Sequence, residues 1–182
     1  MFLSGVAGLA LAAEFLVGTP PQLAQLVEAG LRDSPTFRKT WEALEATRAA
    51  QLTLVAASGD SRARVRSRVE VWTPAHPRDA SCIAWLRARI GVPQRGLKGR
   101  RVAVLAHELA HLIRIFQGSR DERAGTAGER FALEIEQSVA AEMDDAARGR
   151  RRVPPESLVA RGHPEACDVT GDLVAGPGIL LH

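Results

Sequence analysis

RVAVLAHELAHLIRIFQ, residues 101–117, is the stretch that decides how this chain folds. Val102, Val104, Leu105, Leu109, Leu112, Ile113, Ile115 and Phe116 leave almost no polar face. A helix that is apolar all round belongs inside a protein, not on its surface. Gly118 follows and predicts the helix end. Yet the middle of this rod reads His107-Glu108-Leu109-Ala110-His111. Two imidazoles and a carboxylate are costly in an apolar interior unless something there needs them.

The spacing indicates the need. Residues i and i+4 stand one turn apart on the same face, so both rings can reach one cation. Glu108 is displaced around the helix from His107, where it meets a water on that cation and not the cation itself. Zinc brings such a water toward a neutral pKa, and the carboxylate takes its proton as the water attacks a carbonyl. The H-E-x-x-H pattern therefore predicts Zn2+ on His107 and His111, with Glu108 catalytic.

Tetrahedral zinc wants a third protein ligand and leaves the fourth position for water. The next helix, predicted over 128–147, carries Glu129, Glu134, Glu136, Glu142, Asp144 and Asp145. At about 100° per residue, Phe131, Ile135, Val139 and Met143 form an apolar stripe flanked by Ala132 and Ala140. Glu136 falls inside that stripe and Glu134 on the opposite, wet side. Glu129 stands one heptad before Glu136 and nearly shares its azimuth. Glu142 lies at the stripe's edge, beside Phe131 and Ile135. A carboxylate on a buried face wants a cation, so Glu136 is the expected third ligand, with Glu129 and Glu142 as alternatives. His163, in Gly162-His163-Pro164-Glu165, is a further candidate ligand from a loop-like setting.

Outward from the motif, Thr19-Pro20-Pro21 and Ser34-Pro35 predict two helix starts, with Ser34 as N-cap. Leu23, Leu26, Val27 and Leu31 recur at helical spacing in the first; Phe37, Trp41 and Leu44 form the apolar face of the second. Leu52 to Ala56 reads as a strand. Beyond the turn at Ser58-Gly59-Asp60, Val65, Ser67, Val69 and Val71 alternate with Arg64, Arg66, Arg68 and Glu70. Period two predicts a half-buried strand, paired with Leu52–Ala56 as a hairpin. Cys82–Leu86 reads as another strand, and 91–99, with Pro93, Gly96 and Gly99, as a loop. The expected organisation is an apolar segment over 1–18 and one α+β domain over 19–182, with the motif helix at 101–117. A chain of 182 residues can bury a core without disulfides or metals as staples.

Composition narrows the function classes. Lys and Arg number 24 against 21 Asp and Glu, and a net +3 is too mild to demand a nucleic-acid partner. The arginines at 62, 64, 66 and 68 and those of the Arg148–Arg152 cluster lack interleaved aromatics, so no nucleic acid is expected. Two cysteines, Cys82 and Cys167, exclude a disulfide framework and an all-cysteine zinc site. Met1 to Gly18 is apolar but interrupted by Glu14, and too short to span a bilayer comfortably. With no Lys or Arg before Arg32 it is only weakly like a signal peptide. It is expected as a helix or arm packed on the domain, with localisation open between cytoplasmic and exported.

Leu105 to His111, followed by a Gly-ended helix and a second helix bearing Glu, resembles the zincin metallopeptidases. A Glu third ligand is similar to the gluzincin type. Residues 34–145 also resemble small bacterial effector-type zinc proteases, in which a Glu-Asn pair stands where this chain has Glu136-Gln137. The metzincin extension H-x-x-G-x-x-H does not continue past His111. The resemblance implies a zinc-dependent endopeptidase acting on a protein or peptide. It implies a short sheet packed on the motif helix, with an edge strand that pairs with substrate; Cys82–Leu86 is the expected edge. Such enzymes often stabilise the oxyanion with Tyr or His. This chain has no Tyr, which points to His163 or an Arg for that role. The missing Tyr also supports the alternative of a zinc-binding module without turnover, acting as a binding or regulatory domain.

Overall fold

In the computed structural model, the described residues are 15–57, 67–74, 83–117, 127–150, 173–175 and 179–181. Helix α1 spans Pro21–Asp33 and α2 spans Pro35–Ala46. Ser34 separates them. Its hydroxyl accepts the Phe37 N–H at 3.0 Å, and Pro35 occupies the first helical position, where a missing N–H costs nothing. The face Phe37, Trp41 and Leu44 is buried as its spacing predicts. Gly30 of α1 lies so close to α2 that a Cβ there would stand 2.7–2.9 Å from the Phe37 ring.

Five strands form one sheet: β1 Ala50–Ala57, β2 Ser67–Pro74, β3 Trp85–Pro93, β4 Leu173–Ala175 and β5 Ile179–Leu181. Their order is β1-β3-β2-β4, and β5 also pairs with β2. Within β2, Ser67, Val69 and Val71 are buried while Arg68 is exposed, the alternation read from sequence. The expected β1–β2 hairpin does not form, because β3 lies between the two. It runs parallel to β1, with Ala88 opposite Leu52, and antiparallel to β2, with Ala88 opposite Val69. Leu86, Ala88, Ile90 and Val92 are fully buried, so the central place goes to the strand with an unbroken apolar face. β3 also runs on through Gly91, Val92 and Pro93, residues whose Gly and Pro content suggested a loop. Nor is this segment the sheet edge that the resemblance implied; Cys82 itself lies outside the described residues.

The edge beside β1 meets the N-terminal arm. The Val17 N–H donates to the Leu52 carbonyl at 2.8 Å, and Phe15 packs edge-on against Trp41 with ring centroids 4.9 Å apart. Residues 15–17 thus contact the domain, while residues 1–14 of the expected apolar segment are outside the described set.

Helix α3 spans Lys98–Phe116 and carries the H-E-x-x-H residues; α4 spans Ala127–Ala147. The motif helix begins three residues before its expected start at Arg101. It packs against α4, α2, α1 and β3, which explains why it needs no polar face: fourteen of its nineteen residues are buried. The result is a small α+β domain whose core wraps the motif helix. No helix among the described residues is long and apolar enough to cross a membrane.

Gly30→Ala measures how tightly the helices pack. Alanine favours a helix by about 1 kcal/mol over glycine, but overpacking a filled core costs about 1–3 kcal/mol. The Phe37 ring is wholly buried and stacked on Trp41, so it has little room to yield. The variant should lose stability by about 1 kcal/mol in urea denaturation; a raised midpoint would show that the ring gives way freely.

Candidate metal centre

His107 and His111 project from α3 with their Nε2 atoms 3.0 Å apart. Their ring centroids are 4.7 Å apart at 77°, and each residue is 1% exposed. Nitrogens this close cannot both carry a proton on the line between them, so at least one lone pair faces the other ring. Glu129, in the first turn of α4, completes a triangle. Its Oε2 lies 3.3 Å from His111 Nε2 and 3.6 Å from His107 Nε2.

The sides of that triangle, 3.0, 3.3 and 3.6 Å, can be compared with an ion's demands. Zinc bonds of about 2.0–2.1 Å in a tetrahedron put neighbouring ligand atoms about 3.3–3.4 Å apart. The three donors therefore fit a tetrahedral zinc to within a few tenths of an ångström, and two imidazoles with a carboxylate are a donor set zinc accepts.

Glu136 takes a different position. Its Oε2 lies 3.0 Å from Nδ1 of His107, the ring nitrogen outside the triangle. Helical phase predicts that Glu129 and Glu136 share the side of α4 facing the histidines, and they do. Seven residues are two turns, about 10.5 Å along the axis. The His107 ring bridges that interval, with one carboxylate at each nitrogen. The carboxylate that meets both Nε2 atoms is Glu129, the alternative, and not Glu136. Two carboxylates thus stand against one buried ring, Glu129 also meeting His111.

Glu142, the other alternative, is buried for another reason. It accepts the Ser34 hydroxyl at 2.5 Å, the Thr36 N–H at 3.0 Å and the Thr36 hydroxyl at 2.6 Å. It closes the start of α2, where a carboxylate satisfies open N–H groups and the helix dipole together. The helical stripe of α4 cannot reveal this role, because its partners lie more than a hundred residues away. Glu134 is exposed, as predicted, and Glu108 is 2% exposed within the motif helix. His163, Cys82 and Cys167 lie outside the described residues.

Compared with known proteins, the chain matches no family profile, no curated protein and no solved structure.

Three substitutions on α4 separate these roles. Glu129→Ala should weaken zinc binding by roughly 100-fold or more, and Glu134→Ala by no more than a few-fold. Glu142→Ala should instead lower stability by about 3 kcal/mol while the zinc content of the folded protein stays near that of the unmodified chain. Calorimetric zinc titration and urea denaturation read the two effects. Equal zinc loss in Glu129→Ala and Glu134→Ala would contradict the triangle.

Proposed function

We propose that this chain is a zinc-dependent metallopeptidase of the endopeptidase kind. The observation that supports it most is the triangle of His107, His111 and Glu129 donors, built around an H-E-x-x-H sequence in a buried helix. In this reading those three residues hold Zn2+. When bound, zinc supplies Lewis acidity, lowering the pKa of water and polarising a peptide carbonyl. With the metal held there, Glu108 would take one proton from the attacking water and return it to the leaving amine as the C–N bond breaks, the second proton staying with the new carboxyl group. The burial of Glu108 suits this shuttle, because a proton held there is kept from bulk water. The developing oxyanion would fall to His163 or an arginine, since the chain has no Tyr.

A second reading is a zinc-binding module without turnover. The chain's lack of any Tyr and the 1% exposure of both rings favour it.

Glu108→Gln decides between them. The variant should keep about one zinc per chain yet lose peptide hydrolysis by roughly 10²- to 10⁴-fold. Metal analysis and cleavage of a peptide library measure the two quantities. Unchanged cleavage would remove Glu108 from the mechanism. Zinc without cleavage in either protein would favour the module.

A further inference from the structure

We propose that the cavity between the end of α3 and the start of α4 binds a carboxylate of the peptide substrate, held by Arg114 and Arg130. The cavity measures about 290 Å³ and is lined by Arg114, Gln117, Ala127, Arg130, Phe131 and Glu134. Pockets for small ligands span about 300–1,000 Å³, so this one suits a single side chain or one chain end. That the carboxylate belongs to a peptide rests on the peptidase reading above; that the cavity takes a carboxylate rests on the two arginines.

Two guanidiniums line the cavity against one carboxylate, Glu134. Among the described residues, neither arginine forms an ion pair within 4 Å. Arg130 and Glu134 are exposed, but Arg114 is half-buried. Arg114 Nη1 donates to Gln117 Oε1 at 3.1 Å, while its Nε is buried without a hydrogen-bond partner. This cation has lost part of its water and gained only a neutral amide in return. An anion at Nη2 supplies the missing charge, through the charge-assisted hydrogen bond that guanidinium and carboxylate favour. Arg130 adds a second positive charge, and Phe131 an apolar wall for the methylene groups of an acidic side chain. The position also fits the proposed reaction. Arg114 stands three residues past His111, and residues so spaced are neighbours on a helix surface. Arg130 directly follows Glu129. A substrate tied here by its carboxylate is held beside the proposed zinc ligands, where anchoring turns binding energy into position.

The test uses three labelled alanine-rich peptides with the full zinc-loaded chain. One has a central Glu and an amidated end, one has Gln in its place, and one keeps that Gln but has a free C-terminal carboxylate. Fluorescence anisotropy in the E108Q background reads binding without turnover; cleavage by the chain with Glu108 reads KM and kcat. One carboxylate peptide should bind roughly 10-fold or more tighter than the neutral one, and which of the two does so names the source of the carboxylate. R114Q and R130Q should each remove most of that preference and raise KM with kcat nearly kept, and R114K should restore part of it. E134Q should strengthen binding by a few-fold. Arg130 is exposed, so R130Q leaves the fold intact if R114Q does not. Equal binding of the three peptides would overturn the proposal, as would an unchanged preference in R130Q. A preference without cleavage by the unmodified chain would sink the peptidase reading and leave the carboxylate site standing; cleavage without any preference would do the reverse.

Discussion

Two ring nitrogens 3.0 Å apart, inside a helix covered on every side, impose the constraint on which the rest of the structure depends. Neither imidazole can be solvated there, so its polar atoms must be met by protein groups or by an ion. The protein answers with carboxylates from one neighbouring helix. Glu129 meets both Nε2 atoms and Glu136 meets Nδ1. This donor set of two imidazoles and a carboxylate is the one on which the proposed zinc site rests.

The cluster works only if α4 keeps its axial position against α3. A slip of one residue moves a side chain by about 1.5 Å along the axis and 100° around it, enough to remove Glu129 from the rings. Two contacts resist such a slip. At the start of α3, Gly99 admits Met143 so closely that a Cβ would stand 3.0 Å from the Met143 Cβ. Near the same end of α4, Glu142 is tied to Ser34 and Thr36 at the head of α2. Glu142 thus ties α4 to the head of α2, in addition to the α3–α4 packing that sets the position of Glu129. Core packing and site geometry are the same problem in this domain, since the helix that carries the motif also fills the core.

Features decided by neighbours in sequence were legible before the fold was known. Ser34-Pro35 announced a capped helix, the alternation around Val69 announced a half-buried strand, and the apolar run around His107 announced a buried helix. The α+β class followed from those elements. Strand order did not, because pairing β3 between β1 and β2 joins segments distant in sequence, and β3 carries Gly and Pro at its end. The candidate site was readable to the level of helical azimuth. That sufficed to put Glu129 and Glu136 beside the histidines, and Glu134 in solvent. It could not choose between residues one heptad apart, since azimuth contains no axial coordinate. Nor could it separate Glu142, held by hydrogen bonds at the head of α2, from the carboxylates that stand against the histidines.

The most direct measurement is a crystal structure of the zinc-loaded protein with anomalous data at the zinc edge. One anomalous peak should lie about 2.0–2.1 Å from Nε2 of His107, Nε2 of His111 and a carboxylate oxygen of Glu129, with Glu136 still at Nδ1. No peak between the two rings, or one bound through Glu136 in place of Glu129, would contradict the account.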